Sequence, residues 1–382
     1  MPKQIEIKIN HEVLVWARES LALTRQQAAE KTNLTPKRLL QLEEGTQAPK
    51  IEELKALSKG YKRTIATLLL NAPPKEKPLP KDRRTIDSHE LGNFHEKSIM
   101  AVRKARAMAR AYVELWHELG LEIPKVKEFA SLKDEPSTVA QKIRRLLQLD
   151  EVKEITNPNL ALEAYIEKVE SCGISVFQIS LTQDRLRGFS IVDDVVPIIG
   201  IKRGGEQPHS KNFTLFHELG HILLNDGGLC DLSDKTTIGI EKWCNALSAE
   251  ILVPQKDLLE SSLVQAYQRQ RQKIWAKQDL ITLGNKFHVG PLSILRRLLD
   301  NGLITREFYQ EKHAAWNKPS FGRAKNPEGR NIAKETLKEK GRTYVSMAFR
   351  AFDQNRIDLK DLSDYLGIRV SYIPKTRQLL NT

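Results

Sequence analysis

The stretch FTLFHELGHILLND (213–226), followed by EKWCNALSAEILVP (241–254), decides how the rest of the chain is read. At its centre is His217-Glu218-Leu219-Gly220-His221. Two histidines at i and i+4 on a helix share a face about one turn apart, near enough to hold one metal ion. The glutamate after the first histidine is then placed to work on water rather than on the metal. The chain carries its own controls. His-Glu-Leu-Gly also occurs at 89 and 117, where the i+4 positions are Asn93 and Leu121, so these copies read as solvent-facing residues. Around the third copy, Phe213, Phe216, Ile222 and Leu223 supply apolar faces, and Asn225 to Gly228 reads as a helix stop. A buried helix with two histidines must give them partners, because an unsatisfied buried polar group costs about 1–3 kcal/mol.

A catalytic zinc takes three protein ligands and keeps a position for water. Asp226, Asp231, Asp234, Glu241, Cys244 and Glu250 are the downstream candidates for the third. Residues 241–252 read as a helix on which Glu241 and Glu250 stand about 900° apart, on opposite faces, so at most one faces the metal. Glu241 shares a face with Asn245, whereas Glu250 reads as solvent-facing or salt-bridged. Cys244 reads as core packing.

The two-part motif resembles the ImmA/IrrE family of zinc peptidases, which pair H-E-x-x-H with a downstream E-x-x-[AC]-N and L-x-P. The likeness covers about 170–300. It implies Zn2+ as cofactor, with His217, His221 and Glu241 as its ligands. Glu218 is implied as the catalytic carboxylate, taking a proton from water and passing it to the leaving amine. It also implies a protein substrate, a transcriptional repressor cleaved under stress or in mobile-element control. The segment 196–202 is expected to pair with an extended substrate backbone. His209, Tyr267 and His288 are the candidates for stabilising the oxyanion. The family often has a basic residue directly ahead of the Phe-Thr pair; here Asn212 precedes it, with Lys211 one further back.

Outward from the motif the hydrophobic period changes. Segments 174–180, 189–193 and 196–202 are short and β-branched, which predicts strands. Helices are expected at 97–119, 137–149, 159–171, 213–225, 241–252, 277–287 and 291–300. KFHVGPLSILRRLLDNGLI (286–304) is expected to pack behind the peptidase, leaving Arg296 and Arg297 on the surface. The tail, 340–376, returns to helices and ends in the alternation RVSYIP. The fold expected is α+β and mostly helical: an N-terminal five-helix helix-turn-helix module plus a zincin-like peptidase domain with a small β-sheet. The boundaries follow composition. Residues 1–72 form an XRE-like helix-turn-helix domain, and 73–86, rich in proline and charge, a linker. Residues 87–315 form the peptidase domain with a preceding helical region, 316–335 a polar linker, and 336–382 a helical extension.

In the first domain Thr24 and Gln27 make a capping box, and Thr35-Pro36 is an N-cap with proline at N1. LTRQQAAEKTNLTPKRLLQLEEGTQAP (23–49) resembles the XRE helix-turn-helix of the lambda-repressor type. That likeness implies that the third helix enters the major groove. Thr35, Lys37, Arg38 and Gln41 are then the residues that read base edges. The family commonly has glutamine where this chain has Arg25, and Glu43 and Glu44 place acid near the expected groove. A protein-docking or dimerisation role for the same fold stands as the alternative.

Composition fits both halves. The chain has 382 residues, 40% hydrophobic and 29% charged, with a formal net charge of +13 that points to a polyanionic or acidic partner, or to solubility alone. Three cysteines without C-x-x-C spacing argue against a disulfide framework and fit a reducing cytoplasm. MPKQIEIKIN lacks the apolar core of a secretory signal, and no stretch approaches the roughly 18 apolar residues of a membrane span. The rival to a peptidase is a DNA-binding regulator or antitoxin whose metal site is inactive or structural.

Overall fold

The computed structural model describes residues 9–82, 96–126, 129–181, 186–192, 196–230, 239–316 and 331–381. The chain divides into two compact units, Met1–Leu79 with Asp87–Met100, and Pro80–Ile86 with Ala101–Thr382. Both are dominated by helices, and the second holds one sheet, giving the expected mostly helical α+β fold.

The first unit begins with five helices, α1 (His11–Glu19), α2 (Arg25–Thr32), α3 (Pro36–Glu43), α4 (Ile51–Tyr61) and α5 (Ile65–Leu68). Their ends are set where the sequence places them. The Thr24 side chain accepts from Gln27 N while Gln27 answers the Thr24 N–H, and Thr35 accepts from Arg38 N with Pro36 at N1. Leu14, Leu39, Leu42, Leu54, Leu57 and Tyr61 close the core. Beneath it lies a charge network that composition does not announce. Buried Glu43 takes the Arg18 guanidinium at 2.6 Å on one oxygen and Arg25 Nε at 2.8 Å on the other. Glu43 is therefore an interior anchor rather than acid facing a groove.

The second unit opens with β1 (Lys81–Asp82). It continues with α6 (Glu96–Glu118), which belongs to this unit from Ala101 onward, α7 (Pro136–Leu146), α8 (Pro158–Glu170), β2 (Ser175–Ile179), β3 (Gly188–Ile191) and β4 (Ile198–Lys202). Then come α9 (Pro208–Leu223), β5 (Gly228–Cys230), α10 (Gly239–Leu252), α11 (Gln255–Leu259), α12 (Ser262–Arg269), α13 (Lys277–Lys286), α14 (Pro291–Asp300) and α15 (Arg306–Trp316). The C-terminal helices are α16 (Ile332–Lys340), α17 (Arg342–Asp353), α18 (Leu359–Leu366) and α19 (Ile373–Leu380). The sheet order is β1-β5-β3-β4-β2, with β2 parallel and β3 antiparallel to β4. Residues of β2, β3 and β4 are almost all buried, as in a sheet covered on both faces.

Three expectations are corrected here. The segment 196–202 cannot pair with a substrate backbone, because β4 already has β3 on one side and β2 on the other. Gly228 does not merely stop a helix: it starts β5, which pairs with both β3 and β1, so Lys81–Asp82 of the expected linker belongs to the sheet. α16 begins at Ile332, inside the stretch read as polar linker, with Asn331 as its side-chain cap. The RVSYIP alternation near the C-terminus folds as a 3-10 turn, Val370–Tyr372, leading into α19.

The C-terminal helices are tied to the core that holds the sheet. α16 packs on β2, and Arg203 just after β4 pairs with Glu335 and Glu339 of α16, each at 3.5 Å. Glu170, fully buried at the end of α8, has its carboxyl pushed up to about 8 by burial, against hydrogen bonds from Thr343 and Val176 N that seat the α16–α17 turn.

Removing one partner of a buried ion pair strands the other charge, which costs about 3–5 kcal/mol. Glu43→Ala is therefore expected to loosen the first unit selectively. Hydrogen exchange of the full chain should show faster exchange across α1–α4 and unchanged protection in β2–β4.

Candidate metal centre

The site is built where α9 crosses α10. α9 starts at Pro208, five residues before the expected boundary, and its first two turns are nailed down by polar contacts. Buried Lys211 donates to Gln178 Oε1 at 2.8 Å and to the Arg203 carbonyl at 2.7 Å; burial brings its ammonium down to about 8. Asn212 donates to the His288 carbonyl at 2.9 Å. The basic residue thus stands one position early because it anchors α9 to the sheet, while Asn212 anchors it to the turn after α13.

α10 is held to α9 at several points. Ser248 Oγ donates to the Phe213 carbonyl at 2.9 Å, and Trp243 Nε1 donates to the Asp134 carbonyl at 2.8 Å ahead of α7. The closest approach is at Gly220, where a Cβ would lie 3.0 Å from Cys244 Sγ and 3.2 Å from its Cβ. Glycine in the middle of the motif lets α10 come near enough for its first turn to reach the histidines. Cys244 therefore serves as a packing surface, and burial pushes its thiol up.

The result is convergence of three side chains. His217, His221 and Glu241, each at most 4% exposed, bring their ligand atoms within 4.8 Å of one another. His217 Nε2 lies 3.2 Å from Glu241 Oε2 and His221 Nε2 lies 3.3 Å from Oε1. The two Nε2 atoms are 3.2 Å apart. Asn245 Oδ1, 2.9 Å from His217 Nδ1, accepts that N–H and so turns the Nε2 lone pair towards Glu241. Burial lowers the His217 pKa against the pull of Glu241, so the ring is held neutral. Burial raises the Glu241 carboxyl, and only positive character on its imidazole side, an Nε2–H on a ring or a bound cation, outweighs it and brings it down to about 2. A carboxylate facing imidazole lone pairs in a dry interior needs a cation between them. The donor set, two imidazole nitrogens and a carboxylate oxygen, fits a zinc-type ion.

Glu218 sits one residue on from His217, fully buried. It faces the first residue of β3. A Cβ on Gly188 would fall 2.8 Å from Glu218 Oε1 and 2.6 Å from Thr214 Cγ2, so the strand backbone defines the space the carboxylate occupies. Gly188 and Asn245 were not singled out in the sequence. A glycine opening a strand and an asparagine one turn past Glu241 were the available signals.

The other candidates lie elsewhere. Glu250 pairs with Arg297 at 2.6 Å. Arg297 is correspondingly buried and also donates to the Val253 carbonyl, contrary to its expected place on the surface; Arg296 does lie outside, paired with Asp300. Asp226 is not in the convergent group, and Asp231 and Asp234 lie outside the described residues, as does the His-Glu-Leu-Gly copy at 89. His288 spends both ring nitrogens on Tyr165 Oη and the Ile155 carbonyl. The Tyr267 hydroxyl donates to Asp279 at 2.6 Å and its ring stacks on Trp275. His209 occupies the first turn of α9, about 12 Å along the helix from His217.

In the first unit, Lys37 is exposed and Gln41 half-buried on α3, and Thr35 serves as the helix cap. Arg38 is committed inward. Its guanidinium grips Glu53 through Nε at 2.8 Å and Nη2 at 2.7 Å and also donates to the Ala48 carbonyl. Arg25, standing where glutamine is usual, is one of the two partners of Glu43.

Comparison with known proteins agrees with this geometry. Residues 169–299 match the peptidase family described as the IrrE N-terminal-like domain, and residues 14–68 match the helix-turn-helix family. No curated protein and no solved structure matches the chain. The chain therefore carries a metallopeptidase-family domain of the IrrE type preceded by an XRE-type helix-turn-helix domain.

Two outcomes follow. Gly188→Ala is expected to cost about 1–3 kcal/mol through overpacking and to displace Glu218 while sparing the metal ligands. Metal analysis of the purified variant should then give wild-type metal content together with a lowered melting temperature. The second outcome concerns acid. The folded pKa of His217 lies below its ordinary 6.5, so the unfolded chain binds more protons; the stabilisation is present above pH 6.5 and is lost as pH falls below it. Glu241, depressed from 4.5, adds a further loss only below pH 4.5. Melting of the metal-free protein should accordingly drop between about pH 7.5 and about pH 5.5.

Proposed function

We propose that this protein is a zinc-dependent endopeptidase that cleaves a transcriptional repressor or similar regulatory protein and is coupled to a helix-turn-helix module that binds DNA or docks a partner. The observation that carries the reading is the meeting of His217, His221 and Glu241 around one point with Glu218 beside them. A structural zinc site closes its shell with four protein ligands, whereas among the described residues this group offers three and keeps an acid next to it. Zn2+ at this point would polarise the scissile carbonyl and make a water acidic enough to attack near neutral pH. Glu218 takes the proton from that water and returns it to the departing amine. Asn245 keeps the His217 ring turned, and the missing side chain at Gly188 leaves the Glu218 carboxylate the space it occupies.

On the helix-turn-helix side, Lys37 and Gln41 remain the candidates for touching bases, Thr35 for the backbone-near position, and Arg38 acts through the shape of the α3–α4 corner. A cytoplasmic protein whose DNA-binding half brings the peptidase close to DNA-bound repressors gains effective concentration from the tether. A palindromic operator would make it a homodimer. No helix among the described residues is long and apolar enough to cross a membrane. The competing reading, a DNA-binding regulator or antitoxin with an inactive or structural metal site, has no use for the buried Glu218.

Zinc content and turnover separate the two. Wild type is expected to hold one equivalent of zinc, Glu241→Ala to lose it, and Glu250→Ala to keep it. Glu218→Gln should keep zinc and lose hydrolysis by at least about a hundred-fold, the usual scale for deleting a general base. Full activity in Glu218→Gln towards a captured protein substrate would overturn the reading.

A further inference from the structure

A cavity of about 420 Å³ lies within the second unit between α6 and the C-terminal helices α16 to α18, away from the metal centre. Its lining is unusual in how it sorts charge. At one side is Lys340, the last residue of α16, which is 8% exposed yet borders the cavity. Among the described residues its ammonium has no carboxylate within ion-pairing distance; it lies 4.8 Å from the centre of the Tyr344 ring. Its neighbour Glu339 does not serve it, because that carboxylate is taken by Lys104 and by Arg203. Lys104 also lines the cavity, with its ammonium paired to Glu339, and around the rest stand the carboxylates of Glu114, Asp361 and Asp364, the last two on exposed positions of α18. Met108, Tyr344 and Tyr365 supply the apolar wall.

This arrangement selects by charge. A buried ammonium facing a cavity calls for an anionic group, since an uncompensated charge away from bulk water is costly. Phosphorylated or otherwise polyanionic ligands would meet three carboxylates in the same space and be repelled. A cation alone would leave Lys340 unanswered and add to it. What satisfies both ends is a molecule with a carboxylate at one end, an ammonium at the other and an apolar body between them. The volume suits a free amino acid or a dipeptide, of the size usual for small-ligand cavities.

We propose that the cavity between α6 and the C-terminal helices binds a small zwitterion, an amino acid or dipeptide, with its carboxylate on Lys340 and its ammonium on Asp361 and Asp364. Burial holds the Lys340 ammonium down to about 8, so it is partly neutral in the empty cavity. A bound carboxylate restores the charged form, and the gain is part of the binding free energy. Each such charge-assisted contact corresponds to about ten-fold or more in affinity.

The test uses the full-length, zinc-loaded protein and a pool of the twenty free amino acids with a set of defined dipeptides, screened by saturation-transfer NMR at millimolar concentration. At least one zwitterion is expected to bind, and its N-acetylated and C-amidated forms to bind about ten-fold more weakly or not at all. Lys340→Met should abolish binding. Should that variant fail to fold, judged by its melting profile, the exposed pair Asp361→Asn with Asp364→Asn must lower affinity to the same degree. Silence from the whole pool overturns the proposal. So does binding that is indifferent to capping of the termini, to Lys340→Met in a folded protein, or to the double asparagine variant.

Discussion

Everything in the second unit is arranged so that one carboxylate, Glu241, can stand between two imidazoles in a dry interior. His217 and His221 come from one helix and need nothing beyond its pitch to share a face. Glu241 comes from another helix, and its approach requires the α9–α10 crossing to be tight, in register and rigid. Gly220 provides the tightness, the Ser248 hydrogen bond the register, Trp243 ties α10 to the segment ahead of α7, and Lys211 and Asn212 fix the N-terminal turns of α9 against the sheet and the turn after α13. The sheet is less a substrate platform than a wall against which the helix carrying the two histidines is set, with Gly188 facing Glu218.

Local pattern made much of this legible. The i,i+4 histidines, the apolar flanks and the capping residues act within a few positions of the chain, so the helices that carry the site and the short buried strands could be placed from composition and period. The ligand candidate Glu241 emerged from helical geometry together with the family likeness. What escaped depends on partners far away in sequence. Whether Arg297 is buried hinges on Glu250, 47 residues earlier. That Arg38 points inward hinges on Glu53, and that 196–202 is closed on both sides hinges on strands found only when the sheet assembles. The two-residue β1 has too few residues to express any period at all.

The first unit shows how a departure from a family pattern can be absorbed. Arg25 replaces an uncharged side chain, and the extra charge is met by Glu43, which also binds Arg18. The carboxylate that looked like a repulsive feature on a DNA-facing surface is spent inside the module. Lys37 stays exposed and Gln41 half-buried on α3, and of the two acids Glu44 alone remains outside, so that surface is less acidic than the sequence suggests.

The contact between Gly220 and Cys244 also constrains how this protein can change over generations. Neither position can drift alone: a methyl group at 220 meets sulfur, and a bulkier residue at 244 meets the helix backbone. Among relatives, the two columns should therefore be inherited as a matched pair, small against small. A lineage that enlarged either one would push Glu241 away from His217 and His221 before anything happened to the histidines, so decay of this candidate metal centre would leave its first trace at a residue that carries none of its donor atoms.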